Sequence, residues 1–161
     1  MDLEAKKTCL KNVENGLYLI GCTDGKELNV FLGSWLSQCS FEPPLVMAGV
    51  KRDTQHHAFI KDSGGFVVNM PALDQKDMVK SFFKHQNAKD GTIGGETYTL
   101  SPVFKAPILE RTPYWFECKV RAWVEGGDHD VVIGEVVEAG TQAYPSYARL
   151  TETATGWNYG G

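Results

Sequence analysis

The chain has no long apolar run, no basic stripe and no clustered cysteines, and each absence removes a class of function. A membrane-spanning helix takes about 20 consecutive apolar residues, and nothing here approaches that length. Residues 1–12 lack the apolar centre of a secretory signal, so a cytoplasmic protein with no membrane partner is the expectation. A formal net charge of -4 argues against nucleic acid or an anionic membrane surface as partner. The four cysteines (Cys9, Cys22, Cys39 and Cys118) form no C-x-x-C pair and no group at metal spacing, so no metal site is expected. Cys9, Cys22 and Cys118 read as small buried hydrophobes in a reducing compartment. G-x-S-x-G and H-E-x-x-H are missing, which removes the common hydrolase signatures. G-x-G-x-x-G and any βαβ rhythm are missing too, which removes a Rossmann-type nucleotide domain. What remains is 42% hydrophobic and 22% charged over 161 residues, without repeats or linkers: one globular domain, residues 1–161.

The local patterns are mostly those of strands. Residues 3–13 read as a short amphipathic helix with Leu3, Leu10 and Val13 on one face. Residues 16–22 and 27–35 are strands joined by Thr23-Asp24-Gly25-Lys26, where Asp-Gly predicts a type I′ turn. Residues 45–50 and 65–70 are further strands, the second stopped by Pro71. A helix over residues 53–61 lies between them, capped by Asp53 or Thr54, and a second helix over residues 74–84 starts from Asp74. Residues 86–96 read as a loop.

Residues 114–124 alternate cleanly, with Tyr114, Phe116, Cys118, Val120, Ala122 and Val124 toward the core. Trp115, Glu117, Lys119, Arg121 and Trp123 point away. Residues 126–130 turn the chain, with His129 at the tip, and residues 131–139 return. About seven strands in a hairpin-rich order imply a mainly β, closed or partly closed antiparallel barrel with short helices in its crossings. The aromatic outer face of residues 114–124 is a large apolar surface, which a symmetric dimer would cover.

The most informative stretch is residues 29–46, NVFLGSWLSQCSFEPPLV. Pro43 and Pro44 lack backbone N–H groups and fix their own φ, and Pro43 drives Glu42 out of the α region. The expectation is a stiff, extended exit from the sheet. Before it comes a polar turn, Ser37-Gln38-Cys39-Ser40, whose small side chains and free amides suit a planar ligand with polar edges. Lys51-Arg52-Asp53-Thr54 joins a strand to a helix N-terminus, either a phosphate seat or a solvated charged turn. Lys84 closes the second helix, where a lysine either reaches an anion or simply complements the helix dipole. Trp35 packs either against a flat ligand or in the core. His56 and His57 are adjacent on a helix, a poor metal pair, and read as surface or capping residues.

In their order and spacing these pieces resemble the flavin reductase-like, FMN-binding split-barrel family. They are residues 33–46, the Lys51–Thr54 turn, Phe66-Val67-Val68-Asn69-Met70, a helix over residues 75–83, Phe116-Glu117-Cys118-Lys119-Val120 and residues 127–136, which open Gly127-Asp128-His129-Asp130. The similarity is strongest to small reductases related to flavoredoxin and to the flavin reductase modules that accompany rubredoxins or flavodiiron proteins.

It implies an antiparallel split β-barrel of Greek-key type with short flanking helices, forming a homodimer with FMN, or FAD, near the subunit interface. Asn29, Ser34 and Trp35 fall where the family's strand meets the flavin. Ser37, Gln38, Cys39 and Ser40 fall at the ring edge, and Lys51, Thr54 and Lys84 on the phosphate side. His129 falls near the flavin or the nicotinamide approach. The implied function is an NAD(P)H-dependent flavin reductase, with NAD(P)H as substrate and with a rubredoxin, flavodiiron or monooxygenase partner as acceptor. No catalytic acid or base is required.

Two alternatives remain. One is a tightly bound FMN electron carrier, which the departure of Ser37-Gln38-Cys39-Ser40-Phe41 from the Ser/Thr-rich turn of two-component reductases favours. The other is a non-enzymatic ligand-binding split barrel, for instance one holding haem. The tail, residues 149–161, either folds over the cofactor or the partner subunit, or frays.

Overall fold

A computed structural model describes residues 1–84, 86–145 and 148–157; the last four residues of the tail lie outside the described residues. The elements run α1 (Leu3–Lys11), β1 (Tyr18–Thr23), β2 (Leu28–Gly33), β3 (Leu36–Ser40), β4 (Leu45–Lys51), α2 (Gln55–Ser63) and β5 (Gly65–Met70). Next come α3 (Lys76–Lys80), between the 3₁₀ turns Leu73–Gln75 and Ser81–Phe83, then β6 (Gln86–Lys89), β7 (Thr92–Ile93), β8 (Glu96–Leu100) and β9 (Pro107–Leu109). The long hairpin β10 (Tyr114–Val124) and β11 (His129–Thr141) follows, and α4 (Glu152–Thr155) ends the series. All pairings are antiparallel, in the order β3-β4-β11-β10-β5-β1-β2-β6-β7-β8-β9. The fold is mainly β, and its single sheet does not close on itself. No helix among the described residues is long and apolar enough to cross a membrane.

The sheet nevertheless curls, because β9 is pinned back over β1 and β5. Asn69, fully buried on β5, donates to Leu19 O at 3.0 Å and Pro107 O at 3.2 Å, and accepts from Leu109 N at 2.8 Å. Gly21 permits this approach, since a Cβ there would lie 2.4 Å from Pro107 O. β1 is thus covered on both faces, which is why it reads as a nearly continuous apolar run. Ile20 and Cys22 enter one core with Phe66, Val68, Cys118 and Val132. Leu17 and Leu19 enter another with Val30, Val79, Phe82, Ile93 and Leu109. Burial pushes the Cys22 and Cys118 thiols far up, so both stay protonated. Cys9 is exposed instead, because α1 buries none of its residues in this chain.

Several local expectations are corrected. The strand expected over residues 27–35 breaks at Ser34, and Ser37–Ser40 is not a turn: Leu36–Ser40 is the edge strand β3, paired with β4. Residues 41–44 form a tight turn with a cis Glu42–Pro43 bond, not an extended exit, so the prolines close a hairpin. The Asp24-Gly25 connection is a four-residue loop in which Asp24 Oδ1 accepts from Lys26 N and Glu27 N. Residues 86–96 are strands joined by Asp90-Gly91 and Gly94-Gly95, all four at positive φ, the backbone that two-residue hairpins require. Asp74 does not cap a helix; the chain enters a 3₁₀ turn from Ala72, and the second helix is broken into short pieces.

The alternation of β10 fails at a bulge, where the register shifts between Val120 and Ala122. Beyond Arg121 the phase reverses: Trp123 packs against the core while Ala122 and Val124 are exposed. The outer face before the bulge is covered by the chain itself. Trp115 packs on Val67, Ala106 and Ile108, and buried Glu117 accepts from Ser101 Oγ, Val103 N and Phe104 N. The apolar surface invoked for a dimer is therefore internal.

One buried carboxylate ties the sheet to α2. Asp130, 2% exposed at the start of β11, accepts from Arg52 Nε at 2.6 Å and contacts His57 Nε2 at 2.9 Å, with Lys61 Nζ at 3.9 Å. Burial alone raises its pKa, but the hydrogen bonds from Arg52 and His57 outweigh that and bring it down to about 2.

Two outcomes follow. Asn69→Ala loses three buried hydrogen bonds and lowers unfolding free energy by about 2–4 kcal/mol in denaturant titrations. For Asp130 the folded pKa lies below the unfolded value of about 3.9, so its stabilisation is complete above that pH and fades as pH falls toward about 2. Asp130→Asn therefore lowers Tm by several degrees at pH 7, and the gap to wild type closes in acid.

Candidate functional site

β6 pairs with β2 only at Asn29 and Val30, so the edge of β2 from Phe31 to Gly33 has no strand partner among the described residues. A cavity of about 770 Å³ opens along that edge, within the ~300–1,000 Å³ usual for small-molecule sites. Its floor is Phe31, Leu32, Gly33 and Ser34. One wall comes from β4, α2 and β11: Trp35, Gly49, Lys51, Thr54, Gln55, His56 and His129. The facing wall comes from the 3₁₀ turn before β6 and from the C-terminal segment: Phe82, Phe83, Lys84, Glu152 and Trp157, with Leu17 beside them.

The aromatic surfaces are fixed by specific neighbours. Gly49 lets Trp35 lie close on β4, since a Cβ there would stand 3.0 Å from the indole, and Gly49 N donates to Trp35 O at 2.8 Å. The indole remains 37% exposed and tilts against His129, centroids 4.7 Å apart. His56 stacks on Phe31 at 3.9 Å and 15°. On the other side Trp157 meets Phe83 edge-on at 4.8 Å, with Lys76 Nζ 5.0 Å from the indole and bonded to Thr155 O at 2.7 Å.

Positive charge gathers at the turn before α2. Thr54 caps the helix: its Oγ1 accepts from His57 N at 3.4 Å and donates to Lys51 O at 2.7 Å. The first-turn amides of this nine-residue helix have no intrahelical acceptors. Lys51 and Lys84 both line the cavity, and neither enters an ion pair among the described residues. Arg52, between Lys51 and Asp53, is instead consumed by Asp130 and by Glu125 at 3.6 Å. His129 is not a solvated turn-tip residue. It opens β11 opposite Lys51, its side chain is 12% exposed, and it holds Asp128 Oδ1 at 3.0 Å. That hydrogen bond lowers the Asp128 pKa.

Of the eleven residues singled out from the sequence, Ser34, Trp35, Lys51, Thr54, Lys84 and His129 line the cavity. Asn29 does not: it is buried in the β2–β6 pairing, donating to Gln86 O at 2.8 Å and Asn87 Oδ1 at 3.3 Å. Ser37, Gln38, Cys39 and Ser40 lie on edge strand β3 outside the cavity, where Ser37 Oγ donates to Gln38 O and Gln38 Nε2 to Ser40 O. Phe31, Gln55, His56, Phe83, Glu152 and Trp157 were not singled out. For Glu152 and Trp157 the tail itself was a signal, since folding over the cofactor was one of its two readings. Adjacency makes His56 and His57 a poor metal pair, yet adjacent helical residues point to different surroundings, here the cavity for His56 and Asp130 for His57.

Among the described residues, three buried polar atoms lack any hydrogen-bond partner: Ser34 Oγ, Gln55 Oε1 and Glu152 Oε1. All three residues line this cavity. Buried polar atoms are paired in the great majority of cases, so a cluster of orphans in one cavity marks a place for a polar ligand.

Comparison with known proteins gives the same direction. The flavin reductase like domain family matches residues 10–149. A flavin reductase of Pseudomonas putida is 34% identical over 115 residues, 71% of this chain and 65% of that protein. Diflavin flavoprotein A 1 of Synechocystis sp. is 29% identical over 138 residues, 84% of this chain and 24% of that one. The chain thus spans less than two-thirds of either relative. Nitrilotriacetate monooxygenase component B from Mycobacterium thermoresistibile shares the fold, with a TM-score of 0.79 at 21% identity over 92% of this chain and 80% of that one. A match that runs through every strand building the cavity places this chain in the flavin reductase like domain family.

Proposed function

We propose that the cavity binds a flavin, FMN before FAD, and that this single-domain chain is a cytoplasmic NAD(P)H-dependent flavin reductase. The observation that carries the reading is the coincidence, in one cavity, of flat aromatic walls, a lysine beside a helix N-terminus with a second on the facing wall, neither in an ion pair among the described residues, and three orphaned polar atoms. The residues present fit the group. Lys51, Lys84, the Thr54 hydroxyl and the first-turn amides of α2 would hold a phosphate monoester of about two negative charges. One such seat favours FMN over a dinucleotide. Trp35 and the Phe31–His56 pair offer surfaces for a planar ring, and the open edge of β2 offers backbone donors and acceptors to its polar rim.

A bound flavin supplies hydride and electron transfer, which the side chains present do not. The protein's work is then to orient and to exclude water. Gly49 sets how deeply Trp35 reaches, and Phe82, Phe83 and Trp157 make the facing wall largely apolar. Positive charge from Lys51 and from the α2 terminus favours negative charge building up on a ligand nearby.

Exposed Leu3, Leu10 and Val13 on or beside α1, and Phe41 and Met47 on the β3–β4 hairpin, support a homodimer. Similarity to a diflavin flavoprotein supports an acceptor of the rubredoxin or flavodiiron kind, and component B of a monooxygenase supports a two-component partner. A second reading, a tight FMN carrier, is favoured by the enclosure that the C-terminal segment gives the cavity.

Steady-state NADH and NADPH oxidation with free FMN as the varied acceptor separates the two. Saturation in FMN is the expected result, and indifference to it would favour the carrier. Lys51→Ala and Lys84→Ala each weaken FMN binding about tenfold to a hundredfold with Tm unchanged, because each removes a charge-assisted contact to phosphate. A purified protein that is colourless and shows no binding of added FMN would refute the proposal.

A further inference from the structure

The three orphaned atoms come from separate parts of the chain: Ser34 Oγ follows β2, Gln55 Oε1 opens α2, and Glu152 Oε1 opens α4. The amide and carboxylate oxygens only accept hydrogen bonds, while the hydroxyl both donates and accepts. Glu152 is the costliest of the three to leave unpaired. The residue is 7% exposed and enters no ion pair among the described residues.

Its position is set by the surrounding chain. Glu152 Oε2 accepts from Asn15 Nδ2 at 3.3 Å, and Glu152 N donates to Asn15 O at 3.0 Å. Gly16 bridges to Thr151, and Thr153 Oγ1 bonds the Glu14 carboxylate. One carboxylate oxygen is thus anchored, and the other is left for whatever fills the cavity.

We propose that Glu152 is a specificity-determining residue of this cavity, its carboxylate accepting a hydrogen bond from a hydroxyl of the ligand's polyhydroxyl chain, so that ribityl-bearing flavins are held in preference to ring-only flavins. The inference rests on the flavin reading above and names the feature by which the cavity tells one flavin from another. An oxidised isoalloxazine ring has a single ring N–H and can answer one orphaned acceptor. A ribityl chain carries several hydroxyls, each a donor and an acceptor, and can answer atoms spread over the floor and both walls. That Glu152 enters no ion pair among the described residues fits a neutral O–H partner.

The test is equilibrium binding of FMN, riboflavin and lumiflavin, which lacks the ribityl chain, followed by flavin fluorescence. It uses the full chain and its Glu152→Ala, Glu152→Gln and Lys51→Ala variants. Glu152→Ala is expected to weaken FMN and riboflavin about tenfold or more while lumiflavin changes by less than about twofold. Glu152→Gln, which keeps an acceptor and the shape, loses less, and it serves if the alanine variant lowers Tm. Lys51→Ala weakens FMN alone.

Equal loss for all three flavins overturns the inference, since the carboxylate then reads the ring or merely supports the wall. Unchanged binding of all three also overturns it, since water then satisfies Oε1. In both of those outcomes a preserved Lys51 effect leaves the flavin reading standing. No flavin bound by the wild-type chain ends both.

Discussion

The charged wall of the cavity depends on a carboxylate that does not face it. Asp130 is almost out of water, so its charge must be matched, and it draws Arg52, His57 and Lys61 onto the start of β11. Three neighbouring pairs are divided by this arrangement. Arg52 turns to Asp130 while Lys51 lines the cavity; His57 turns to Asp130 while His56 lines the cavity; Asp130 itself turns inward while His129 lines the cavity. Side-chain direction alternates along a strand and rotates along a helix, so fixing one member of each pair aims the other. A cavity-facing cation is thereby held one residue from the arginine that is anchored to Asp130.

The cavity exists because the sheet comes apart at β2. After two paired residues β6 leaves, and the positive-φ turns Asp90-Gly91 and Gly94-Gly95 fold β6, β7 and β8 back on one another. The arm then crosses to the other side of the sheet, where Asn69 fastens β9. On the opposite flank β3 and β4 stay with β11. Strong twist makes a long open sheet separate or curl, and here both happen, leaving β2 as the seam.

Much of this was legible in the residues, for reasons that can be named. The strand content, the β10–β11 hairpin, the cap at Thr54 and the place of Lys51 just before a helix N-terminus follow from local chemistry: alternation, turn residues and a hydroxyl before a helix. What escaped depends on distant partners. No local signal shows that Glu117 is buried, because the segment that covers it, residues 101–106, packs there through tertiary contacts. The polar run Ser37–Ser40 resembles a turn, but it is an edge strand, and edge strands carry polar side chains without losing their ladder. Asp90-Gly91 was a readable hairpin signal that the surrounding polar composition concealed.

The two walls are held by forces of different kinds. The cationic wall stands on a buried ion cluster and on strand pairing through β4 and β11. The C-terminal wall stands on a four-residue helix, too short to persist alone, and on a few bonds to residues 14–16 and to Lys76. Segments that are short and tied by few bonds lie at the low end of local stability. A ligand that touches both walls therefore stabilises the weaker one most, since its binding free energy is gained only when that wall is in place. The carboxylate oxygen left unpaired among the described residues sits on that weaker wall, where the hydrogen bond proposed for it would act both as a contact and as a fastening.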